Sequence, residues 1–192
     1  RIVLHLGQVM DGRGIDELCA AMALVEGAVL VVAGFGADYE RYRATAAALP
    51  HADRIHFMGG VPPEEIPSWN ASADVAAMPV QPDTLNHRLN TPTKLFDAIG
   101  AGVPVVASDL PGIAPLVRET GIGELCDPTD PRDIARAINA ILGLSTSDRE
   151  ALRDRCLAAA RGPYSWERQA ETLISIYAGL GVPPPLSGGL PG

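Results

Sequence analysis

The sequence is poor in cysteine and has no long apolar run. Its three cysteines, Cys19, Cys126 and Cys156, are widely spaced and odd in number, which argues against a disulfide framework and a cysteine metal site. We therefore expect them to be small apolar fillers in a protein of the reducing cytoplasm. The apolar runs are too short to cross a bilayer, and the first residues lack the layout of a signal peptide. Arg1 opens directly into an apolar run, which suggests a chain cut from a longer one.

Positive charge is also scarce. The chain has 15 Lys and Arg against 23 Asp and Glu, a formal net charge of −8. We expect no nucleic-acid partner, because neutralising phosphates needs clustered cations. A single phosphate-bearing ligand needs only a local positive pocket and stays open. The histidines show no metal-ligand spacing and no Gly-x-Ser-x-Gly elbow occurs, so we expect neither a metal site nor serine hydrolase chemistry.

Short apolar runs alternate with segments of helical periodicity along the chain. Strands are predicted at residues 2–6, 29–33, 55–57, 74–78, 105–107 and 123–126. Helices are predicted at 15–25, 39–49, 62–69, 114–119, 131–142, 147–161 and from 165 onward, with a polar loop at 81–90. Because parallel strands need crossovers, the fold class is α/β, a Rossmann-like three-layer parallel sheet with helices on both faces. Ligands should bind at the loops after the carboxyl ends of the strands.

The stretch 90–108, NTPTKLFDAIGAGVPVVAS, holds a further predicted helix and the fifth strand. Thr91 followed by Pro92 is typical of a helix N-cap and first helical position. The free N–H groups of a helix start bind anions, Lys94 adds a positive charge in that turn, and Asp97 adds a carboxylate one turn later. Such a set suits the phosphates and the ribose of a nucleotide. An ordinary α/β crossover is the plain alternative.

A glycine-rich loop, GQVMDGRG, joins the first predicted strand to the first predicted helix. Its amides and Arg13 are candidates to face a phosphate. The spacing of Gly7, Gly12 and Gly14 does not match the dinucleotide fingerprint Gly-x-Gly-x-x-Gly. A plain turn is therefore an equal alternative for this loop.

The histidines and tryptophans are predicted to have mainly structural places. His5 and His56 lie on predicted strands, as packed or edge residues. His87 lies in the predicted polar loop, as a surface residue or a ligand contact. Trp69 and Trp166 occupy apolar positions of predicted helices, where packing into the core is the expectation.

Several motifs, taken in order, carry a resemblance to one family. They are RGIDEL, VVAGFG, RIHFMGGVPPEEIPSWNASADVAAMP, KLFDAIGAGVPVVAS, GELCDPTDP and YSWERQAETLISIY. Together they resemble the C-terminal, donor-binding domain of the group 1 retaining glycosyltransferases. The resemblance implies one half of a GT-B fold over residues 1–180, and we expect the Pro- and Gly-rich tail at 181–192 to be disordered.

The resemblance also implies what the whole enzyme does. It would take a UDP- or GDP-sugar and transfer the sugar to an acceptor with retained configuration, without an essential metal or other cofactor. The acceptor-binding N-terminal domain is absent from this chain, so the domain alone is expected to be inactive. The family implies a cytoplasmic enzyme of cell-surface polysaccharide or glycoconjugate biosynthesis, with membrane contact only through the absent domain.

Site residues follow from the same resemblance. The donor diphosphate would be met by Gly7, Arg13, Gly14, Thr91, Thr93 and Lys94. The ribose would be held by Asp97, which is shorter than the usual Glu. The base-side loop would comprise Met58, Gly59 and Val61, and the sugar side His87 and Asn90. No set of residues in this domain is complete for catalysis.

The sequence departs from the family pattern at two positions. Leu89 stands where the family has a Glu near the sugar, and Gln8 stands where it usually has Arg. Residues 90–94, NTPTK, resemble a variant of some relatives, Asn/Ser-x-Pro-x-Lys. Two other functions therefore stay open. One is a non-catalytic nucleotide-sugar-binding or scaffold module, and the other is a sugar-nucleotide epimerase of the same fold that uses His87, Asp83 or Asp109.

Overall fold

The computed structural model describes residues 1–181, in which strands alternate with helices. The strands are β1 Ile2–Leu6, β2 Val29–Ala33, β3 Ile55–Gly59, β4 Val75–Met78, β5 Val105–Ser108 and β6 Gly123–Cys126. The helices are α1 Ile15–Ala21, α2 Tyr39–Ala47, α3 Ile66–Ala71, α4 Leu85–Leu89, α5 Thr93–Gly100, α6 Ala114–Thr120, α7 Pro131–Leu142, α8 Thr146–Arg161 and α9 Trp166–Gly179. Residues 182–192 of the predicted tail lie outside the described part.

The strands form a parallel sheet in the order β3-β2-β1-β4-β5-β6. β1 lies between β2 and β4, and Val3 is in register with Leu30 on one side and Val75 on the other. The chain therefore builds outward from β1 in one direction, then returns and builds from β4 in the other. This confirms the predicted Rossmann-like α/β class and puts the reversal of strand order between β1 and β4.

Helices cover both faces of the sheet. α1, α2 and α7 pack on one face, and α3, α5, α6 and α8 pack on the other. Successive residues of a strand point to opposite faces of the sheet, and Val3 and Leu4 accordingly belong to separate core clusters. The helices bury apolar residues at helical spacing, such as Ile134, Ile138 and Ile141 on α7. Each such buried side chain contributes roughly 1.5–3 kcal/mol to folding.

Three predictions differ from the structure by more than two residues. The helix predicted at 62–69 begins as a 3₁₀ turn, Pro63–Glu65, and α3 itself covers Ile66–Ala71. α1 ends at Ala21, and Met22–Leu24 tightens into a 3₁₀ turn, so the predicted helix at 15–25 was too long. The predicted polar loop at 81–90 contains α4, whose N-cap Thr84 accepts a hydrogen bond from the backbone of His87 at 3.0 Å. A five-residue helix has no room for an amphipathic repeat, so its cap was the only local signal.

The C-terminal helix departs from another expectation. Trp166 is 76% exposed, so the prediction that it packs in the core was wrong. α9 has no buried residue, and its apolar side chains Leu173, Ile174 and Tyr177 are about half exposed. Periodicity marks a face that is suited to burial, but within residues 1–181 nothing encloses it. Trp69 is partly buried beside the cluster of Leu4, Leu6 and Ala33, and the three cysteines are buried as expected.

Candidate functional site

A cleft of about 480 Å³ opens at the carboxyl ends of β1 and β4, where the strand order reverses. Ligands bind at this place in open α/β sheets, because the loops from the two strands leave in opposite directions. The lining residues are Leu6, Gly7, Gln8, Arg13, Ile66, Val80, Asn90, Thr91, Pro92, Thr93, Lys94 and Asp97. The structure therefore brings together the predicted diphosphate residues except Gly14, along with Asp97 and Asn90.

Gly7 allows close approach at the floor of the cleft. Its φ of +136° lies in a region that favours glycine. A Cβ atom at Gly7 would lie 3.1 Å from both Cε and Nζ of Lys94, and one at Gly34 would lie 1.7 Å from the carbonyl oxygen of Gly7. The Gly7 N–H donates to the carbonyl of Ala33 at 2.9 Å. The two glycines thus let the loops after β1 and β2 meet and leave space for the lysine head group.

The start of α5 faces the cleft without a side-chain cap. Pro92 is its N-cap, in an extended conformation, and no side chain bonds to the first turn. Thr91 was wrongly predicted as the cap, because Pro92 takes that position and the Thr91 hydroxyl donates instead to the Gly112 carbonyl at 2.6 Å. The first N–H groups of a helix have no partner within it, and Thr93 and Lys94 line the cleft. This helix start is therefore suited to an anion.

Two cationic side chains reach the cleft. The Nζ atom of Lys94 lies 3.4 Å from Nε2 of His5. Burial of the ammonium, and secondly the charge of Arg13, lower the pKa of Lys94 to about 7. Holding both side chains charged costs free energy, and a bound anion would relieve that cost.

Arg13 contacts the side chains of Gln8 and His87. Its Nη2 donates to Oε1 of Gln8 at 3.0 Å, and its Nη1 lies 3.2 Å from Nε2 of His87. The other ring nitrogen of His87 lies 3.2 Å from Oδ1 of Asp83. Since a guanidinium only donates, this chain of contacts requires the proton of His87 on Nδ1. His87 thus contacts Arg13 and is not itself among the lining residues.

Asp97 lies one helical turn beyond Lys94 on α5 and lines the same cleft. Partial burial raises the pKa of the Asp97 carboxyl above its ordinary value, because desolvation disfavours the charged form. An ionised carboxylate only accepts hydrogen bonds, so it suits a ligand that presents hydroxyl groups.

The other predicted site residues, Gly14, Met58, Gly59 and Val61, are not among the residues that line the cleft, and Met58 lines a separate pocket beside β3. Gly14 has a φ of +68°, and a Cβ there would lie 2.0 Å from the carbonyl oxygen of Pro79, so this glycine lets the loops after β1 and β4 pack. Met58, 56% exposed, and Gly59 end β3. Val61 follows them and packs against the cluster of Leu4, Leu6 and Ala33.

Three residues of this region were missed as functional candidates from the sequence. His5 is fully buried, and its only signal is a polar ring inside the apolar run IVLHL. Gln8 was treated as the loss of an Arg, whereas here its side chain bonds to Arg13. Ile66 lines the cleft from the start of α3 and carried no signal in the sequence.

Other chemistries have little support in the part of the chain that is described. Within residues 1–181 no group of three His, Cys, Asp or Glu side chains is placed to hold a metal ion. Among the same residues no helix combines the length and apolar character needed to cross a bilayer. Burial raises the pKa of each of the three cysteines to about 12, which disfavours the nucleophilic thiolate. The cleft itself offers cations, backbone amides and one carboxylate.

The family described as "Glycosyl transferases group 1" matches residues 1–143. A GDP-mannose-dependent alpha-(1-6)-phosphatidylinositol monomannoside mannosyltransferase of Mycobacterium tuberculosis is 31% identical over 85% of this chain and 42% of its own. A D-inositol 3-phosphate glycosyltransferase of Nocardia farcinica is 32% identical over 78% of this chain and 32% of its own. The chain therefore spans less than half the length of these relatives.

Solved structures share the fold. Anabaena HepE, crystallised with UDP, superposes with a TM-score of 0.76 at 22% identity, over 91% of this chain and 48% of its own. Sucrose-phosphate synthase from Thermosynechococcus elongatus gives 0.77 at 25% identity, over 94% and 45%. The C-terminal domain of a group 1 family protein from Francisella tularensis gives 0.71 at 17% identity, over 86% of each chain. The fold is thus the Rossmann-like unit that recurs in these GT-B glycosyltransferases.

Proposed function

Since the chain belongs to the group 1 glycosyltransferases, we propose that its cleft binds the diphosphate and ribose of a nucleotide-sugar donor. One observation carries the proposal. The uncapped start of α5, with Lys94 in its first turn, meets the Gly7 loop and Arg13 in one cleft at the reversal of strand order. That set pairs two cations with free backbone N–H groups, which is the complement of a diphosphate.

Each part of the cleft has a role in the proposal. Lys94, Arg13 and the amides at Thr93 and Lys94 bind the diphosphate oxygens, and Gly7 lets those oxygens approach the backbone. Asp97 accepts hydrogen bonds from the ribose hydroxyls. Met58, Gly59 and Val61 lie on the base side, while Asn90 and His87 lie on the sugar side. Gln8 and His87 hold the guanidinium of Arg13 at 3.0 Å and 3.2 Å, so that it faces the ligand in a fixed orientation.

These groups would also assist transfer. The bond between the anomeric carbon and the terminal phosphate oxygen breaks, and its electron pair stays on the departing diphosphate. A bond forms from an acceptor hydroxyl oxygen to the same face of that carbon, and the hydroxyl proton goes to the departing diphosphate. Fixed cations and amides stabilise the charge that develops on the leaving group, a contribution that can reach several kcal/mol in a water-excluded site. We propose retention of configuration, without a metal, on the resemblance to the family.

The donor base and the acceptor are proposals that draw on the relatives. The mycobacterial relative is GDP-mannose-dependent by name, and the Anabaena neighbour was crystallised with UDP, so UDP- and GDP-sugars are the two donors to test. The relatives are about twice as long, and we propose that the acceptor binds to a domain outside this chain. The 192-residue chain alone is then expected to bind donor and transfer nothing. We also propose a cytoplasmic site of action.

The epimerase alternative gains little from the geometry. It needs acid and base groups in one cleft, but Asp109 is paired with Arg118 at 2.6 Å and lines a different cleft. Asp83 contacts His87, and His87 in turn contacts Arg13. Only an activity assay can distinguish a non-catalytic binding module from an enzyme. A full-length protein that binds the donor but neither hydrolyses it nor transfers its sugar would support the non-catalytic function.

The direct test is calorimetric titration of the 192-residue chain with UDP and with GDP. We expect one of them to bind. Asp97→Ala should weaken that binding by at least about tenfold, since a hydrogen bond to a charged group contributes about 1.5–3 kcal/mol. The 2′-deoxy form of the same nucleotide sharpens the ribose assignment. The wild type should prefer the ribonucleotide, and Asp97→Ala should lose most of that preference.

Asp53→Ala is the matched control. This exposed carboxylate lies in the turn Ala52–Arg54, which precedes the edge strand β3 and so lies at the amino end of the strands, away from the cleft at their carboxyl ends. It should leave both affinities unchanged. No heat and no chemical-shift change with either nucleotide at millimolar concentration would refute the proposal. Binding with an unchanged preference in Asp97→Ala would refute only the ribose assignment.

A further inference from the structure

His5 is a fully buried polar residue to which the proposed function gives no role. It lies on β1, two residues before Gly7, and its neighbours Leu4 and Leu6 are apolar. Burying an imidazole is costly unless its nitrogens find partners. Both nitrogens of His5 do, and one of the partners is a residue of the cleft.

The contacts of the ring with Ala77 and Lys94 favour one tautomer. Nδ1 lies 3.2 Å from the carbonyl oxygen of Ala77, which the pairing of β1 with β4 brings alongside. A carbonyl oxygen only accepts, so Nδ1 carries the proton. Nε2 is then left with its lone pair, 3.4 Å from Nζ of Lys94. An ammonium only donates, so the contact is a hydrogen bond from lysine to histidine.

This contact gives direction to an otherwise flexible side chain. A lysine carries its charge on a four-carbon stem with many rotamers. The head group of Lys94 is confined on one side by Gly7, whose absent side chain leaves the space, and on the other by the ring of His5. Lys94 is also one of the residues that line the cleft.

We propose that His5 is a positioning residue, whose neutral ring in the Nδ1–H form holds the Lys94 ammonium against Gly7 in the orientation that binds the diphosphate. This inference rests on the proposed function of the cleft. The contact between His5 and Lys94 exists without a ligand, so it can be tested separately from nucleotide binding.

The charges around the pair agree with a neutral ring. Burial, and secondly the charge of Lys94, lower the pKa of His5 to about 3, although backbone contacts with Ala77 and Gln8 act in the opposite direction. The titratable groups that act on Lys94 are His5 on β1 and Arg13 from the loop after β1, and Asp97 lines the same cleft one turn along α5. A diphosphate adds negative charge, so its binding should raise the pKa of Lys94 and take up protons above pH 7.

The first test needs no ligand, and it uses a variant only to assign the signal of His5. Long-range ¹H–¹⁵N spectra of the chain labelled at its four histidines report the tautomer of each ring. His5 is assigned by its loss in His5→Gln. We expect a neutral Nδ1–H ring at pH 7 that stays neutral down to about pH 4. An Nε2–H ring, or titration near the ordinary pKa of about 6.5, would overturn the inference.

The second test is a double-mutant cycle with a sugar nucleotide as the probe. UDP-glucose and GDP-mannose lack the terminal phosphate that ionises near pH 6, so the pH dependence comes from the protein. We expect His5→Phe to weaken the bound one about five- to tenfold in the wild type and not at all in Lys94→Ala. The affinity of His5→Phe should also begin to fall at a lower pH than that of the wild type, because the ammonium of Lys94 loses a hydrogen-bond acceptor.

His5→Gln separates positioning from packing. Glutamine can place an oxygen acceptor near the position of Nε2, so this variant should recover most of the affinity. Equal losses in His5→Phe with and without Lys94 would show that His5 acts only through the fold and would overturn the inference. If neither sugar nucleotide binds to the wild type, the proposed function fails and the role of His5 fails with it. The spectra would still decide whether the contact itself exists.

Discussion

Two helices of this fold have a polar residue followed by a proline at their start, but their first turns differ. α7 follows Asp130, whose carboxylate accepts the N–H of Arg132 at 2.9 Å, and Asp133 adds a second carboxylate to that turn. α5 follows Pro92, has no side-chain cap and carries Lys94 in its first turn. The chain itself therefore satisfies the positive end of α7, whereas the positive end of α5 is left for a group from outside.

The difference does not come from how the helices are anchored. Both bury their apolar faces completely, with Leu95 and Ile99 on α5 and Ile134 and Ile138 on α7. A cation at a helix start is unfavourable by about 0.3–1 kcal/mol, as a carboxylate there is favourable by the same amount. The start of α7 thus stabilises the fold by itself. The start of α5 carries unfavourable electrostatic free energy that a bound anion would relieve. Changes at the start of α7 should therefore lower the stability of the fold without affecting binding. Changes at the start of α5 should lower nucleotide affinity and can raise stability.

The largest expected effect is on nucleotide affinity in Lys94→Glu. The variant fills the positive end of α5 with its own carboxylate and repels the diphosphate, so the dissociation constant for UDP or GDP should rise at least a hundredfold, about 2.7 kcal/mol. Calorimetry measures it. Asp133→Lys, the reverse change in the first turn of α7, is the control and should leave the affinity within twofold. Binding in Lys94→Glu within threefold of the wild type would break the comparison.

The cap of α7 should matter for stability alone. Asp130→Ala removes the acceptor for the N–H of Arg132, and the free energy of unfolding should fall by about 1 kcal/mol. Urea denaturation followed by circular dichroism measures it. Asp130→Asn keeps a capping oxygen and should lose much less, and both variants should bind nucleotide as the wild type does. A stability unchanged in Asp130→Ala would show that the cap is not what stabilises this helix start.

At α5 the corresponding removal should stabilise the protein. Lys94→Met relieves the buried charge, and the free energy of unfolding at pH 7 should rise by roughly 0.5–1 kcal/mol at the expense of binding. The folded pKa of Lys94 is about 7, against about 10.4 in an unfolded chain, so the unfolded state binds more protons between those values. Wild-type stability should therefore rise from pH 7 to 10 relative to Lys94→Met. Parallel pH profiles in urea would contradict the shift.

Most of the fold could be predicted from the sequence, because its signals are local. Strands buried on both faces read as continuous apolar runs, such as VLVVA in β2, and their alternation with helices dictates a parallel sheet. The exceptions have physical reasons. α4 is too short to show a period, and Trp166 occupies a helix face that the described residues leave exposed.

The candidate site could be predicted only in part. Its residue types came from a local pattern, NTPTK followed by Asp97, and from a resemblance, and the structure gathers most of them in one cleft. The contacts that orient them join distant parts of the chain. His5 lies 89 residues from Lys94, and Arg13 lies 74 residues from His87. No local pattern reports such pairs, since they exist only when the sheet brings β1 beside β4.

The smallest expected effect concerns acid stability at α7. A hydrogen bond from Arg136, at 2.6 Å, is the main cause that holds the pKa of Asp133 below its ordinary value, and the N–H of Asp127 at 2.7 Å adds to it. A carboxyl with a depressed pKa stabilises the fold above its unfolded pKa, and that stability is lost as the pH falls through the folded value. Asp133→Asn should therefore cost about 0.3–0.5 kcal/mol at pH 7 and nothing near pH 2, as urea curves at the two pH values would show. The exposed Asp53→Asn is the control and should match the wild type at both. A cost in Asp133→Asn that persists at pH 2 would mean that the side chain acts through its hydrogen-bond geometry and not through its charge, and the electrostatic contrast between α7 and α5 would then rest on Lys94 alone.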